Sequence, residues 1–410
     1  MPVLRPSLVT RFRPAVRHLF CVAAIAAVTL CYARSNTTPQ VVTAPTSLTT
    51  QERMYASAFW PTKGDASASE YAGEAACAGC HADIASLQHQ TPMYHAATPA
   101  SLLSLHSPLK FQESTFSYAV QQTVSGTIYS VDSVSASGSH SDSRAVAWAF
   151  GNSETGQTYL LRQKDGYIES RLSYYTALNA LDITVGHSGQ LPSSLHDALG
   201  HELAFDTAQR CFACHTTAST LSNVFVPEKS VPGVTCEACH GPGAAHVVAA
   251  KTGKVRQTIA SVINPASMSP ADSVDFCGSC HRTFSDVAVF MPANLGAISV
   301  RFQPYRLEKS RCWGKTGDAR ITCIACHDPH RPLVRESAAY DHNCLACHNS
   351  GSAQQVRDHP PSTSNPIPSA SGCKVATNNC VTCHMPKVEV PQTHASFTDH
   401  QIRIVRASIP

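Results

Sequence analysis

Apolar and polar positions are arranged differently in three parts of the chain. Leu19 to Ala33 forms a fifteen-residue apolar stretch behind Arg5, Arg11, Arg13 and Arg17. This is the pattern of an export signal, and it falls short of the ~20 residues a membrane span needs. Small residues at Cys31 and Ala33 predict cleavage after Ala33 and a signal peptide over 1–33; left uncleaved, the same stretch would hold the chain at a membrane. Ser35 to Thr50 has no charged residue and is rich in Thr, Pro and Ser, which predicts an exposed linker over 34–70.

The middle of the chain carries period-two patterning. Thr115 to Val134 alternates weakly, and two β-rich runs, Thr158 to Leu161 and Tyr167 to Leu172, flank Asp165-Gly166. A hairpin is expected there, within an antiparallel β insert over 101–205. Beyond it the chain is broken by Gly241-Pro242-Gly243, Asp328-Pro329 and Pro360-Pro361, which predicts short helices and loops.

Composition narrows the function. With 43% hydrophobic residues in 410, the chain is too apolar to be disordered throughout, and its net charge of +3 gives no electrostatic ground for nucleic-acid binding. The distinctive figures are 18 Cys and 21 His. Cys21 and Cys31 would leave with the signal. Fourteen of the other sixteen Cys fall into seven copies of C-x-x-C-H: Cys77-Cys80-His81, Cys211-Cys214-His215, Cys236-Cys239-His240, Cys277-Cys280-His281, Cys323-Cys326-His327, Cys344-Cys347-His348 and Cys380-Cys383-His384. A random chain of this composition would hold about 0.04 copies.

Two thiols on one helical turn can add across both vinyl groups of a haem, and the next His can then ligate the iron. Zinc sites pair Cys doublets into a single tetrahedron, whereas here each doublet carries its own His. The motifs therefore predict seven covalently attached haem c groups. One motif lies in a first haem unit over 71–100, and six lie in a domain over 206–410, with 29 residues per motif between Cys211 and His384. So little chain per site predicts that the haems form the core, wrapped by short α-helices and loops, with the β insert between haem 1 and haem 2. Cys312 and Cys373 are left over. A disulfide between them would close a loop of 60 intervening residues, worth about 4 kcal/mol.

A six-coordinate haem needs a second axial ligand. His246 and His330 lie just past a motif, and His394 and His400 follow the last one, so these four are the leading candidates, with His187 behind them. His89, His106, His140, His196, His201, His342 and His359 are expected to be solvated surface residues. Arg282, Arg306, Lys309 and Arg311 are candidate counter-charges to the propionates, which would together bring about −14.

At these residues the chain resembles the multihaem c-type cytochromes related to the tetrahaem cytochrome of ammonia-oxidising bacteria, and more distantly cytochrome c nitrite reductase and hydroxylamine oxidoreductase. The resemblance rests on Cys77 to His81 with Thr91-Pro92-Met93, on Gly233 to Gly243, and on Cys383 to Pro386 with Phe397-Thr398-Asp399-His400; it covers Tyr71 to Ala100 and Cys211 to Arg406. It implies haems ligated by two His, stacked in close pairs and passing electrons. Met93 stands where that family has Thr-x-His, so Met93 or His95 is the expected ligand of that haem. All seven motifs end in His, whereas the nitrite reductase site ends in Lys, so that activity does not carry over. Together these readings predict an exported heptahaem electron carrier of a respiratory chain, periplasmic or at the cell surface, working with redox partner proteins or as a subunit of an oligomer or larger complex. The alternative is an oxidoreductase with one open-site haem acting on a small nitrogen or sulfur oxyanion.

Overall fold

The structure is a computed structural model that describes residues 66–135, 138–291, 295–310, 312–313, 321–348 and 376–405. The expected signal peptide, most of the linker, Cys373 and His359 lie outside the described residues. Among the described residues no helix is long and apolar enough to cross a membrane, and no disulfide is formed.

Nine antiparallel strands form one sheet: β1 (Ala97–Pro99), β2 (Leu109–Glu113), β3 (Phe116–Thr123), β4 (Gly126–Ser135), β5 (Gly138–Phe150), β6 (Gly156–Gln163), β7 (Gly166–Tyr175), β8 (Ala180–Ile183) and β9 (Gly200–Glu202). Strands β2 to β8 follow one another in order, with β1 added on β5 and β9 on β7. The expected hairpin is β6–β7, closed at Gln163 and Gly166. The sheet is larger than the hairpin signal alone suggested. The first half of β5 is almost wholly polar and exposed, and β1 and β9 have three residues each, too few to show a period.

Register shifts at Val146/Trp148 and Thr158/Leu160 add twist, and the sheet curls until β2 lies against β8. Arg171 of β7 fastens the curl: its Nε and Nη2 donate to Glu113 of β2 at 3.0 and 2.8 Å, and its remaining donors reach the Ser188 and Gln190 carbonyls. Inside lie Tyr118, Val120, Tyr129, Val131, Leu161 and Leu172, closed at one end by helix α3 described below.

Among the described residues twelve short helices accompany the sheet: α1 (Glu74–Ala78) and α2 (Ala82–Gln88) before it; α3 (Leu195–Leu199) within it; then α4 (Phe205–His215), α5 (Cys236–His240), α6 (Ala244–Lys251), α7 (Val255–Ala260), α8 (Pro270–His281), α9 (Phe284–Phe290), α10 (Gln303–Glu308), α11 (Asp341–His348) and α12 (Cys380–His384). The outer face of the sheet holds α4. Phe212, wholly buried, meets Trp148 and Phe150 edge-on at 5.4 and 5.0 Å. Since Phe212 lies between Cys211 and Cys214, the second motif is bolted directly to the sheet. Among the described residues, no apolar cluster forms beyond Phe225.

Candidate haem-binding sites

All seven motifs sit on a single helical turn. Cys77 lies in the last turn of α1 and the His81 N–H returns to its carbonyl at 2.9 Å; the second, third, fourth, sixth and seventh motifs end α4, α5, α8, α11 and α12; the fifth is a 3-10 turn in which His327 N–H meets the Cys323 carbonyl at 3.0 Å. One turn brings the two sulfurs to one side and lets the following His swing beneath them.

The imidazoles are oriented from behind. Nδ1 of His215, His240 and His384 lies 2.9, 2.7 and 2.9 Å from the carbonyl oxygens of Ala96, Ile263 and Arg403. Nδ1 of His246 and His400 likewise meets the carbonyls of Thr258 and Thr398, at 2.9 and 3.0 Å. A donating Nδ1–H leaves the lone pair on Nε2, the atom a metal would take.

Three motif histidines each face a second imidazole. The ring centroids of His81 and His246 are 6.4 Å apart, those of His240 and His330 6.0 Å, and those of His327 and His400 6.2 Å. A metal–imidazole bond is about 2 Å and a ring nitrogen lies about 1.1 Å from its centroid, so two rings ligating one iron from opposite sides stand roughly 6.3 Å apart. The three pairs fit a haem iron between them. Burial pushes the protonation of His240 and His327 down and that of His400 down to about 4, so neutral, ligand-competent rings prevail at pH 7.

Other candidates are placed differently. His394 Nε2 meets Asp182 at 2.8 Å, and its ring sits edge-on to Tyr175. The exposed His95 turns Nε2 to the His89 carbonyl at 2.8 Å. The segment containing Met93 lies against the second and third motifs, with Val234 N–H bonded to the Met93 carbonyl at 2.9 Å and Ala96 behind His215. His187 stacks face to face on His201 at 3.9 Å, far too close for an iron to lie between the two rings. His89 pairs with Glu74, and Arg306 is engaged by Asp399 rather than held as a free counter-charge.

The motifs adjoin one another in a branched series. The sulfurs of neighbouring motifs influence one another: the Cys77 thiol feels Cys236, Cys323 feels Cys277, and Cys380 feels Cys344. The Cys239 thiol, pushed up to about 12 by burial, feels Cys277, and Cys344 feels Cys326. Cys214 Sγ lies 3.8 Å from the carbonyl of Ser279 inside the fourth motif. The order is therefore first, third, fourth, fifth, sixth, seventh, with the second branching from the fourth.

Sequence reasoning missed the acidic residues that lock this series. Glu237, inside the third motif and 5% exposed, accepts the N–H groups of Ala72, Gly73 and Gly243 at 2.8, 3.0 and 2.8 Å, tying the first motif's approach to the third. Asp341 opens α11 and accepts the N–H groups of Asn379 and Cys380 at 2.7 and 2.8 Å, joining the sixth motif to the seventh. The one available signal was Glu at an x position of C-x-x-C followed by a Gly-Pro-Gly return. Glu237→Gln keeps one acceptor oxygen and loses a charge-assisted bond, so urea unfolding of the holoprotein is expected to show a loss of about 1.5–3 kcal/mol. An unchanged midpoint would show that the tie contributes nothing.

Residues 188–241, which contain the second and third motifs, match the family model described as cytochrome c554 and c-prime. Among solved structures, an outer cell wall cytochrome, OcwA, is similar over 82% of this chain and 80% of its own, at 16% identity and a TM-score of 0.44. No curated protein matches the chain.

Proposed function

We propose that this chain is an exported c-type cytochrome that relays electrons between redox partner proteins of a respiratory chain through seven covalently attached haems. The observation that carries the reading is the set of three facing imidazole pairs at 6.0–6.4 Å, each beginning from a C-x-x-C-H histidine. Covalent haem supplies one-electron chemistry at iron, with a potential set by axial ligand, burial and hydrogen bonding. The chain's own part would be to hold the iron from both sides at the three paired sites, so that no substrate reaches it there, and to keep neighbouring sites in contact. His246, His330 and His400 close the first, third and fifth sites; the carbonyls of Ala96, Ile263 and Arg403 fix the rings at the second, third and seventh. Glu237 and Asp341 hold successive motifs together. The apolar stretch at Leu19 to Ala33 supports export to the periplasm or cell surface.

The test is intact mass and electron paramagnetic resonance on the exported protein. A mass seven haems above the polypeptide, with an all-low-spin spectrum, is the expected result. A missing haem overturns the count. A high-spin signal near one iron in seven that binds nitrite or hydroxylamine overturns the relay in favour of an oxyanion-reacting enzyme.

A further inference from the structure

A second cluster of side chains able to ligate a metal lies on the sheet, near Cys211 of the second motif but sharing no residue with any C-x-x-C-H turn. On the antiparallel pair β7–β9, Glu169 stands directly opposite His201, so the two side chains leave the same face of the sheet. The turn after β8 brings His187 over them: Gly186, at φ +97°, reverses the chain, and the His187 N–H closes onto the Thr184 carbonyl at 2.9 Å. His187 is 4% exposed, with Nε2 3.2 Å from a Glu169 carboxylate oxygen. Its ring lies 3.9 Å from that of His201 at an interplanar angle of 8°. One donor atom from each of the three residues lies within 4.8 Å of the others.

We infer that Glu169, His187 and His201 form a binding site for a divalent transition-metal ion, of which Zn2+ is the natural occupant. Two ligands about 2.1 Å from one zinc ion stand roughly 3.0–3.4 Å apart, and His187 and Glu169 already have that separation. His201, exposed in the middle of a strand of only three residues, can turn its side chain to close the remaining distance. Two imidazoles and one carboxylate are a recurrent zinc set, with the fourth position left to water, and here that position opens on the His201 side. The nearby cation does not compete: Arg171 spends its donors on Glu113, Ser188 and Gln190. Stacked imidazoles give each other no hydrogen bond, so a shared ion would turn a bare face-to-face contact into a clasp between β7, β9 and the turn at Gly186. The inference does not rest on the haem reading.

The test uses the full-length exported holoprotein, stripped with a chelator and dialysed to equilibrium against Zn2+, with zinc and iron counted on the same sample. One zinc per chain is expected, bound at least tenfold more weakly in His201→Ala and in Glu169→Gln while the visible haem spectrum stays unchanged. Absorption at the zinc edge is expected to show two imidazoles in a nitrogen and oxygen shell. Failure of the wild type to retain zinc, retention unchanged in both variants, or a shell containing sulfur would each overturn the site. Two variants and a direct ligand readout keep the answer open to refutation should one substitution unfold the chain.

Discussion

His246→Ala is expected to convert one iron in seven from low spin to high spin. His246 is the ring that faces His81, at 6.4 Å between centroids, and its Nδ1 is already committed to the Thr258 carbonyl. Alanine removes the imidazole that α6 places opposite that motif. The freed site is expected to bind an exogenous ligand such as imidazole, restoring the low-spin signal. His106→Ala, on an exposed histidine, serves as the control and is expected to leave all irons low-spin. Integration of the resonance spectrum against total iron checks the result; a spectrum unchanged in His246→Ala would sink the pairing of these two rings.

The second large effect belongs to Asp399. Its carboxylate is 1% exposed and bonded to Arg306 at 2.8 and 2.6 Å and to Arg403 at 2.5 Å. Removing one partner of such a buried group costs about 3–5 kcal/mol, because the charges left behind stay unpaired. Asp399→Ala is expected to lower the stability of the holoprotein by that amount in denaturant unfolding. It is also expected to loosen His400, the next residue, so that a high-spin fraction appears at the fifth site. Burial alone would raise the Asp399 carboxyl, but Arg306, the Gln401 N–H and Arg403 outweigh it and hold the group below the ordinary aspartate value. The stabilisation is therefore complete above that ordinary value, near pH 4, and is lost as pH falls through the lower folded value. The wild type is expected to lose stability across this acid range and Asp399→Asn to lose less. Parallel acid profiles of the two would remove Asp399 as the cause.

Much of the site chemistry was legible because covalent attachment demands a fixed local spelling, and Cys-x-x-Cys-His is complete within five residues. The facing imidazoles were only partly legible, since proximity along the chain is a poor guide to what packs against a motif. His246 and His330 lie close after a motif, yet His246 faces the first motif's His81, 165 residues away. His394 shares the segment of His400 but turns to Asp182 because positive φ at His394 aims its side chain back at the sheet. The β insert announced itself in the alternation of β3 and β4 and in the apolar β-rich runs of β6 and β7. The polar half of β5 and the three-residue strands carry no such period. The locking roles of Asp341 and Asp399 were not legible, because a buried carboxylate is recognised by the backbone N–H groups and guanidiniums that fold around it.

The burial of the motif sulfurs bears on the order in which the molecule is assembled. In the folded chain, burial pushes the thiols of Cys77, Cys211 and Cys239 up to about 12. At pH 7 only about one in 10^5 of such groups is a thiolate, against a few per cent for an ordinary cysteine. A thiol so seldom ionised is a slow partner for any reaction at sulfur. Phe212 sets the same limit mechanically, since the second motif cannot open without leaving the sheet. Haem attachment is therefore expected on the extended chain, before neighbouring motifs close over one another, with folding the last step of biosynthesis rather than the first.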